Sequence, residues 1–182
     1  MCMKKRFKLG LFVGRFQPFH KGHLYALRFA KARCEVVVIG IGSVQETGTE
    51  KNPLSAKERI RIIRSGLKGA AIDPKGYRFL KVPDFLDDDK WFDYIIRAEP
   101  GIDVVFSRNT IVKRIFRNHS ITVLLPPWHN RRRLAATRIR ALIKGERNWR
   151  DAVPSGSIKE IQAQEERIKR AVSQISRIKA KR

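Results

Sequence analysis

The stretch GRFQPFHKGH, residues 14–23, joins a short apolar run at residues 9–13 to an amphipathic run that starts at about residue 21. A short apolar run of this kind is typical of a buried strand, and an amphipathic run is typical of a helix. The stretch therefore predicts a strand, a turn and a helix N-terminus. Unpaired N–H groups and the helix dipole make such an N-terminus favourable for anions.

Two histidines in this stretch predict more than a structural turn. His20 and His23 are three residues apart, so both side chains fall on one face at the start of the predicted helix. Gly22 lets a ligand approach the backbone, and Arg15 adds a planar donor. A single histidine in a first helical turn is more often structural. The pair, with this glycine and arginine, predicts a triphosphate site.

The rest of the chain alternates between strand-like and helix-like patterns. Apolar, β-branched runs, each interpreted as a buried parallel strand, occupy residues 9–13, 36–41, 79–82, 104–106 and 121–125. Helical patterns cover approximately residues 21–33, 55–68, 89–98 and 109–117. This alternation predicts an α/β fold: a Rossmann-like, doubly wound, parallel five-stranded sheet with flanking helices. Ser55 and Glu58 have the spacing of a capping box.

The chain is long enough for one domain with a proper core and short for two. We expect that domain to cover residues 1–156 and a basic C-terminal helix, residues 157–182, to pack on it. The helix is predicted from apolar residues at approximately helical spacing: Ile158, Ile161, Ile168, Val172, Ile175 and Ile178.

Polar residues follow several of the predicted strands. Ser43 follows the second strand, Asp84 the third, and Arg108 and Asn109 the fourth. Each of them alone is most simply a turn or cap residue. Because ligands in such sheets bind beyond the carboxyl ends of the strands, the whole set predicts one crevice there.

The tetrapeptide His20-Lys21-Gly22-His23 matches the pattern (H/T)-x-G-H, and on this motif the chain resembles the nucleotidyltransferase superfamily. The longer stretch at residues 14–23 is similar to one branch, the archaeal-type nicotinamide-nucleotide adenylyltransferases. A second block, AATRIR at residues 135–140, resembles the family motif S-(G/S/T)-T-x-(I/V)-R at a helix start, with Ala135 where the family has Ser. The resemblance extends from Gly14 to about Pro154.

The resemblance implies an activity and a set of site residues. The enzyme would transfer AMP from ATP to the 5′-phosphate of nicotinamide mononucleotide, forming NAD and pyrophosphate, with Mg²⁺ carried on the ATP phosphates. The residues expected to be catalytic are His20, His23 and Arg140. Those expected to bind ATP are Gly14, Arg15, Phe16, Gln17, His20, Gly22, His23, Arg108, Thr137, Ile139 and Arg140. Those expected to bind the acceptor are Ser43, Lys51, Asp84, Asp88, Trp91 and Asn109. No residue is expected to ligate a metal directly.

The identity of the acceptor stays open at this point. Related enzymes with the same motif transfer nucleotidyl groups to phosphopantetheine, flavin mononucleotide or phosphocholine. Trp91 favours nicotinamide mononucleotide, because an indole stacks well on a cationic ring. The chain departs from the family pattern at Lys51, Asp88, Arg108 and Ala135, which keeps an altered acceptor or a reduced activity among the alternatives. Thr137 is expected to cap the helix at the second motif.

Charge gives a rival hypothesis. The 182 residues contain 40 Lys and Arg against 17 Asp and Glu, a net charge of +23. Such an excess favours an anionic partner, and a nucleic-acid-binding protein is the main alternative. Against it, the cations are spread along the chain, and no zinc-finger spacing or aromatic RNA motif accompanies them.

Other sequence features set the expected environment. Two cysteines, Cys2 and Cys34, are too few for a disulfide framework, and the apolar runs are too short to cross a membrane. We expect a cytoplasmic protein without membrane association. The resemblance adds a homo-oligomer, with a hexamer as the expected form.

Overall fold

The computed structural model of the protein describes residues 6–130 and 132–179, with side chains at all of these positions except 74 and 174–179. Cys2, the side chains of Ile175 and Ile178, and the last three residues of the predicted C-terminal helix lie outside the described part.

Within that part, strands and helices alternate as the sequence predicts. The strands are β1 (Phe7–Gly14), β2 (Cys34–Ile41), β3 (Tyr77–Lys81), β4 (Val104–Phe106) and β5 (Thr122–Leu124). The α-helices are α1 (Lys21–Lys31), α2 (Ala56–Gly69), α3 (Asp88–Ala98), α4 (Thr110–Asn118), α5 (Ala136–Lys144), α6 (Ile158–Gln162) and α7 (Glu165–Lys179). Short 3-10 turns occupy Pro74–Gly76, Arg150–Ala152 and Ser155–Ser157.

The five strands form one parallel sheet in the order β3-β2-β1-β4-β5. This confirms the predicted α/β fold. The strand order reverses between β1 and β4, where Leu11 pairs with Val105. In sheets of this type the reversal opens a crevice beyond the carboxyl ends of the two strands. β1 ends at Gly14, the first residue of the stretch that predicts the phosphate site.

The described residues fall into two compact units. We call residues 6–14, 25–43 and 75–127 the sheet unit, because it holds all five strands. Its core has helices on both faces of the sheet. Leu9, Leu11 and Val105 pack on one face with residues of α3 and α4. On strand β4, Phe106 points to the other face, where it meets Phe29 of α1 edge to face, with 6.1 Å between ring centroids.

The other unit comprises residues 15–24, 44–74, 128–130 and 132–179, and we call it the histidine unit. It holds α2, α5, α6, α7 and the first turn of α1. Ser55 and Glu58 form the predicted capping box at the start of α2. Glu58 also pairs with Arg167 of α7 at 2.8 Å, so the capping residue helps hold the C-terminal helix.

The C-terminal segment consists of two helices, α6 and α7, where the apolar spacing predicts one. Glu165 and Glu166 stand in the first turn of α7, where carboxylates favour a helix N-terminus. The Trp149 indole N–H donates to Glu165 Oε1 at 3.1 Å and holds that turn. The second helix therefore has its own start at Glu165, although the apolar spacing continues from α6 into α7. The division into residues 1–156 and 157–182 stays a prediction.

In the described residues, none of the helices combines the length and the apolar character needed to span a membrane.

Candidate active site

The two predicted histidines are stacked on each other at the start of α1. The ring centroids of His20 and His23 are 3.6 Å apart, with 17° between the ring planes. The backbone N–H of His23 donates to His20 Nδ1 at 3.3 Å. A neutral imidazole that accepts at Nδ1 carries its proton on Nε2. The local backbone therefore sets His20 to present Nε2–H as a donor.

Burial keeps both imidazoles neutral at pH 7 in this state. It lowers the pKa of His20 to about 4. The pKa of His23 lies well below its ordinary value, first because of burial and second because of the neighbouring His20. Two rings this close cannot both carry a positive charge without strong repulsion. The pair is thus a set of neutral donors, and a polyphosphate would raise both pKa values by favouring the charged form.

Phe16 and Phe19 pack on the His23 ring. Phe16 meets it edge to face at 4.8 Å, and Phe19 stacks on it at 5.8 Å. Both phenylalanines are almost completely buried and support the histidine ring. The ATP contact expected of Phe16 stays a prediction. Phe16 also has a φ of 51°, a left-handed conformation that a bulky residue adopts at a cost of about 1–3 kcal/mol. Contacts in the folded protein therefore hold Phe16 in a backbone conformation that an isolated peptide would rarely adopt.

Gly22 makes room for the His20 ring. A Cβ atom at this position would lie 3.0 Å from His20 Nδ1, which is tighter than ordinary van der Waals contact. The missing side chain therefore allows the stacked histidines to sit as they do. This role comes in addition to the backbone approach for which the sequence analysis invoked Gly22.

Two buried side chains, Gln17 and Arg59, hold the backbone around Phe16 in place through hydrogen bonds. Gln17 Nε2 donates to Leu54 O at 2.8 Å, and Leu54 N–H donates to Gln17 Oε1 at 3.0 Å. Arg59, fully buried on α2, donates from Nη1 to Arg15 O at 2.9 Å. Gln17 thus uses both of its amide atoms to hold the backbone. A direct ATP contact by its side chain would have to be added to these bonds, and its place in the ATP site stays a prediction.

Arg59 is a positioning residue that the sequence analysis did not single out. A signal for it existed, because residue 59 falls on the same face of α2 as Ala56 and Ile63. A buried guanidinium on an apolar helix face requires acceptors. The sequence pattern does not show which groups accept these hydrogen bonds. One of them, the Arg15 carbonyl, is 44 residues away in the chain.

Arg140 joins the second motif to the first. It donates from Nη1 to Gln17 O at 2.8 Å, and its Nη2 lies 3.4 Å from Thr137 Oγ1. Burial, and next the Arg15 guanidinium, lower the pKa of Arg140, while the Glu50 carboxylate opposes them. A guanidinium stays charged under these conditions. Two arginines that repel each other in a partly buried place favour binding of an anion between them.

The start of α5 differs from the expectation for Thr137. Ala135, not Thr137, occupies the N-cap position, and it provides no side-chain cap bond. Thr137 is the second residue of the helix, and its hydroxyl is next to Arg140 instead. Thr137 as the cap is therefore a wrong prediction, because α5 begins at Ala136, two residues earlier than that role requires. The first N–H groups of α5 therefore receive no hydrogen bond from the side chain at the N-cap position, Ala135.

Two further predicted residues of the histidine unit are placed very differently. Ile139 is fully buried and fixes α5 in the core of its unit, so only its backbone is suited to meet a ligand. Lys51 is exposed on the loop before α2. Their roles in ATP and acceptor binding stay predictions.

The sheet unit carries the other predicted residues, near the carboxyl ends of its strands. Gly42 N–H donates to Gly14 O at 2.9 Å, which extends the pairing of β1 with β2. Ser43 follows, buried and with a φ of 51°. Asp84 lies in the exposed segment after β3. This arrangement brings the ends of β1, β2 and β3 to one edge, as the sequence predicts.

Asn109 and Arg108 have structural partners in the same unit. Asn109 is the N-cap of α4, and its Oδ1 accepts from Ile111 N–H at 2.9 Å and Val112 N–H at 3.2 Å. Arg108 Nε donates to Pro126 O. The turn-or-cap interpretation of Asn109 is correct. Ligand contacts by either residue stay predictions.

The acidic segment before Trp91 starts α3. Asp87 is the N-cap, since its Oδ1 accepts from the N–H groups of Asp89 and Lys90. Asp88, the residue expected to read the acceptor, is paired with Arg114 of α4 at 2.6 Å. Trp91 is half-buried, with its ring 6.0 Å from Phe116 at an angle of 78°. Their roles toward an acceptor stay predictions.

Metal ligands of the protein itself do not cluster in the described residues: no group of three or more His, Cys, Asp or Glu side chains there is arranged to hold an ion.

Comparison with known proteins gives consistent relatives. The family model described as cytidylyltransferase-like matches residues 11–176. The nicotinamide-nucleotide adenylyltransferase of Saccharolobus solfataricus is 40% identical over 145 residues, which are 80% of this chain and 84% of that protein. The nicotinamide-nucleotide adenylyltransferase of Thermococcus kodakarensis is 39% identical over 148 residues, 81% of this chain and 78% of that protein.

A solved structure shares the fold. It is a bifunctional NMN adenylyltransferase/ADP ribose pyrophosphatase from Francisella tularensis, complexed with AMP and a Mn ion. The TM-score is 0.80 at 21% identity, and the match covers 94% of this chain and 54% of that one, so this chain spans about half of that structure. From the family model and the archaeal relatives, the chain belongs to the cytidylyltransferase-like family and, within it, to the archaeal-type nicotinamide-nucleotide adenylyltransferases.

Proposed function

We propose that this protein catalyses adenylyl transfer from ATP to the 5′-phosphate of nicotinamide mononucleotide, which forms NAD and pyrophosphate. The observation that carries the proposal is the stacked pair His20 and His23, set in the histidine unit that also holds Arg15 and Arg140. Membership in the family gives this arrangement its substrate class.

The reaction is a direct in-line displacement. An oxygen of the acceptor 5′-phosphate attacks the α-phosphorus of ATP and forms a new P–O bond. The bond between the α-phosphorus and the oxygen bridging to the β-phosphate breaks, and pyrophosphate leaves with the electron pair. No protein nucleophile is needed, so positioning and neutralisation of charge are the main contributions of the chain.

The histidines act as hydrogen-bond donors to the phosphates. His20 presents Nε2–H, because its Nδ1 accepts from the His23 backbone. Negative charge builds on the leaving pyrophosphate during the reaction, and a donor fixed in advance stabilises that charge more than it stabilises the ground state. Burial strengthens this effect, because the local dielectric is low.

The arginines and the start of α5 bind the departing phosphates. Arg140 is held by Gln17 O, and its charge and that of Arg15 act on the same region. The helix N-terminus at Ala135 adds N–H groups and a favourable dipole. A Mg²⁺ ion would reach the site on the ATP phosphates, where it neutralises part of their charge. Mg²⁺ typically keeps several waters and binds through substrate phosphates.

The acceptor would be bound by residues of the sheet unit. Trp91 offers an indole for stacking on the cationic pyridine ring. Ser43, Asp84 and Asn109 follow three strands at the carboxyl edge of the sheet and would position the rest of the nucleotide. A homo-oligomer and a cytoplasmic location, both expected earlier, stay predictions.

The test is an acceptor panel. The protein is incubated with Mg-ATP and, in separate reactions, nicotinamide mononucleotide, phosphopantetheine, flavin mononucleotide and phosphocholine, and both pyrophosphate and the adenylylated product are measured. We expect NAD from the first reaction at the highest rate. Faster product formation with another acceptor would replace the proposed substrate but keep the chemistry, and no pyrophosphate in any reaction would contradict both.

A further inference from the structure

The side-chain amide of Gln17 makes two hydrogen bonds, and both join it to the backbone of Leu54. Nε2 donates to Leu54 O at 2.8 Å, and Oε1 accepts from Leu54 N–H at 3.0 Å. Gln17 is 2% exposed and Leu54 is fully buried, so water does not compete for these bonds. The two residues are 37 positions apart in the chain. Gln17, in the stretch that carries the histidines, thus holds the loop that precedes α2.

Lys51 lies in a turn next to this contact. Thr49 N–H donates to Asn52 O at 3.3 Å, and Asn52 N–H donates to Thr49 Oγ1 at 3.0 Å, which closes a turn over residues 49–52. Residues 52–54 are buried, whereas Lys51 is exposed. Lys51 is therefore the last exposed residue before the segment that Gln17 holds.

The same turn lies near Arg140. Burial, and next the Arg15 guanidinium, lower the pKa of Arg140, and the carboxylate of Glu50 raises it. Charges act strongly on each other only over short distances, so the turn that carries Glu50 and Lys51 is close to Arg140. Arg140 Nη1 donates to Gln17 O at 2.8 Å. Gln17 thus contacts Arg140 through its main chain and the segment after Lys51 through its side chain.

A lysine depends strongly on where its backbone is held. The ammonium is a point charge on a flexible four-carbon stem, whereas a guanidinium is a planar fork that its hydrogen bonds orient. The reach of the Lys51 ammonium is therefore set by the position of its turn. A turn that is fixed before the phosphates bind loses less entropy when they do.

We propose that Gln17 is a positioning residue for adenylyl transfer: its side-chain amide holds Leu54 and thereby places the Lys51 ammonium at the phosphates of the bound nucleotides. Gln17 acts through Lys51 and not through a side-chain contact of its own with ATP, since its amide nitrogen and oxygen both bind Leu54. The inference rests on the proposed function. It adds no chemical step, because Lys51 neutralises charge and the bonds that form and break at phosphorus stay the same.

The experiment is a double-mutant cycle with Gln17→Met, Lys51→Ala and the protein that carries both changes. Methionine has a side chain of similar length and removes both hydrogen bonds. The measurements are kcat and KM for nicotinamide mononucleotide at saturating Mg-ATP and the dissociation constant of ATP. Circular dichroism establishes that each protein is folded. If Gln17→Met does not fold, Gln17→Asn, whose amide is one methylene shorter, replaces it in the cycle.

We expect Gln17→Met to lower kcat/KM about tenfold when Lys51 is present and less than about twofold when Lys51 is absent, because Gln17 acts through that lysine. Lys51→Ala itself should lower kcat/KM by about tenfold or more, as loss of a charged donor predicts. Any change in the dissociation constant of ATP that Gln17→Met causes should likewise vanish in the Lys51→Ala protein.

The matched control is Lys57→Ala. Lys57 is an exposed cation of the same unit, at the start of α2, and its removal changes the net charge equally. Gln17→Met should lower kcat/KM about tenfold with or without Lys57, because exposed charges outside the site contribute little.

Amide hydrogen exchange gives a readout that does not depend on activity. Leu54 N–H should exchange about tenfold faster in Gln17→Met than in the unmodified protein, because its acceptor is gone. Amides inside α5 should keep their exchange rates, which separates a local release of the loop from a general loss of stability.

An equal effect of Gln17→Met with and without Lys51 would overturn the inference, because Gln17 would then act on ATP or on the histidines directly. A coupling of the same size to Lys57 would also overturn it, and so would a folded Gln17→Met protein with unchanged kcat/KM or unchanged exchange of Leu54. In each of these cases the unmodified protein still forms NAD and the proposed function stands. If the unmodified protein transfers no adenylyl group, the proposed function fails, and the inference fails with it.

Discussion

At the scale of single residues, the histidine pair is electrically neutral at pH 7 before a ligand binds, and we propose that it nevertheless binds a polyphosphate. The two rings are stacked at 3.6 Å and buried, so neither gains from protonation before a ligand arrives. The positive charge of the site comes from Arg15 and Arg140, which cannot lose their protons. In the proposed mechanism the histidines contribute direction, since the His23 backbone N–H donates to His20 Nδ1 and leaves Nε2–H of His20 as the donor.

The low pKa of His20 predicts how stability depends on pH. In the unfolded chain His20 has an ordinary pKa of about 6.5 and binds a proton as the pH falls below that value. In the folded state it binds the proton only near pH 4. The free energy of unfolding should therefore fall as the pH is lowered from 6.5 to 4. Between pH 7.5 and pH 5 we expect His20 to account for a loss of about 2 kcal/mol. Urea unfolding of the protein and of His20→Asn measures this loss, and Asn keeps an acceptor near the position of Nδ1.

The control for this measurement is His129→Gln, because His129 is an exposed histidine of the same unit. The His129→Gln protein should lose as much stability between pH 7.5 and pH 5 as the unmodified protein. His20→Asn should lose less, with the contribution of the buried His23 remaining. An equal slope in all three proteins would show that His20 is not buried as a neutral ring.

Some of these residue contacts could be predicted from spacing within one helical turn. Others depend on contacts between residues far apart in the chain and could not be predicted. The spacing of His20 and His23 was enough to place both rings together, because it depends on one helical turn. The partner of Asp88 could not be predicted in the same way: Arg114 is 26 residues away, and the pair exists only once α3 packs on α4. The hydrogen bond from Arg59 to the Arg15 carbonyl could not be predicted for the same reason, because the two residues are 44 positions apart.

At the scale of elements, α5 begins at a residue that cannot cap it. Ala135 has no side-chain acceptor for the first N–H groups of the helix. Serine is among the best N-cap residues and alanine among the poorest. A helix start left in this condition keeps its N–H groups available to an anion, at some cost in stability.

The change Ala135→Ser should therefore stabilise the protein by about 1 kcal/mol in the absence of nucleotide. Urea unfolding checks this value. Ala141→Ser is the matched control, an exposed position inside the same helix, where serine should be slightly destabilising. If both serines shift the midpoint in the same direction, the N-cap assignment at residue 135 is wrong.

The elements themselves were largely predictable, because their patterns are local. Strands β1, β2 and β4 carry the buried apolar runs that the sequence predicts, whereas β3 and β5 at the edges of the sheet are only partly buried. The capping box at Ser55 marked the start of α2. The break between α6 and α7 was not predictable, since the apolar spacing continues across it. At the start of the second helix, Glu165 accepts a hydrogen bond from Trp149, 16 residues away, and such a long-range contact is not visible in the spacing.

At the scale of the whole molecule, a net charge of +23 is far more than one nucleotide needs. Sequence composition alone could not separate a nucleotide-binding enzyme from a nucleic-acid-binding protein, because both require cations. The motif and the fold decide between them. The histidine motif, with the matching family model and the archaeal relatives, favours the enzyme.

The charge leads to a prediction about nucleic acids. A labelled duplex should bind at 50 mM salt through phosphate contacts, lose its affinity steeply by 200 mM salt, and leave adenylyl transfer at about 150 mM salt unchanged. Fluorescence anisotropy and the pyrophosphate assay measure the two effects. Tight binding of duplex or RNA at about 150 mM salt that ATP does not displace would support the nucleic-acid hypothesis instead.

The most direct test of the central claim is the turnover of His23→Ala with Mg-ATP and nicotinamide mononucleotide. In the proposed mechanism His23 donates mainly to charge that develops during the transfer. We therefore expect kcat to fall about 10²–10³-fold while the dissociation constant of ATP rises by less than about tenfold. His23→Asn, which keeps a donor, should recover part of the loss, and circular dichroism should show both variants folded. A folded His23→Ala protein with kcat within about threefold of the unmodified protein would contradict the account.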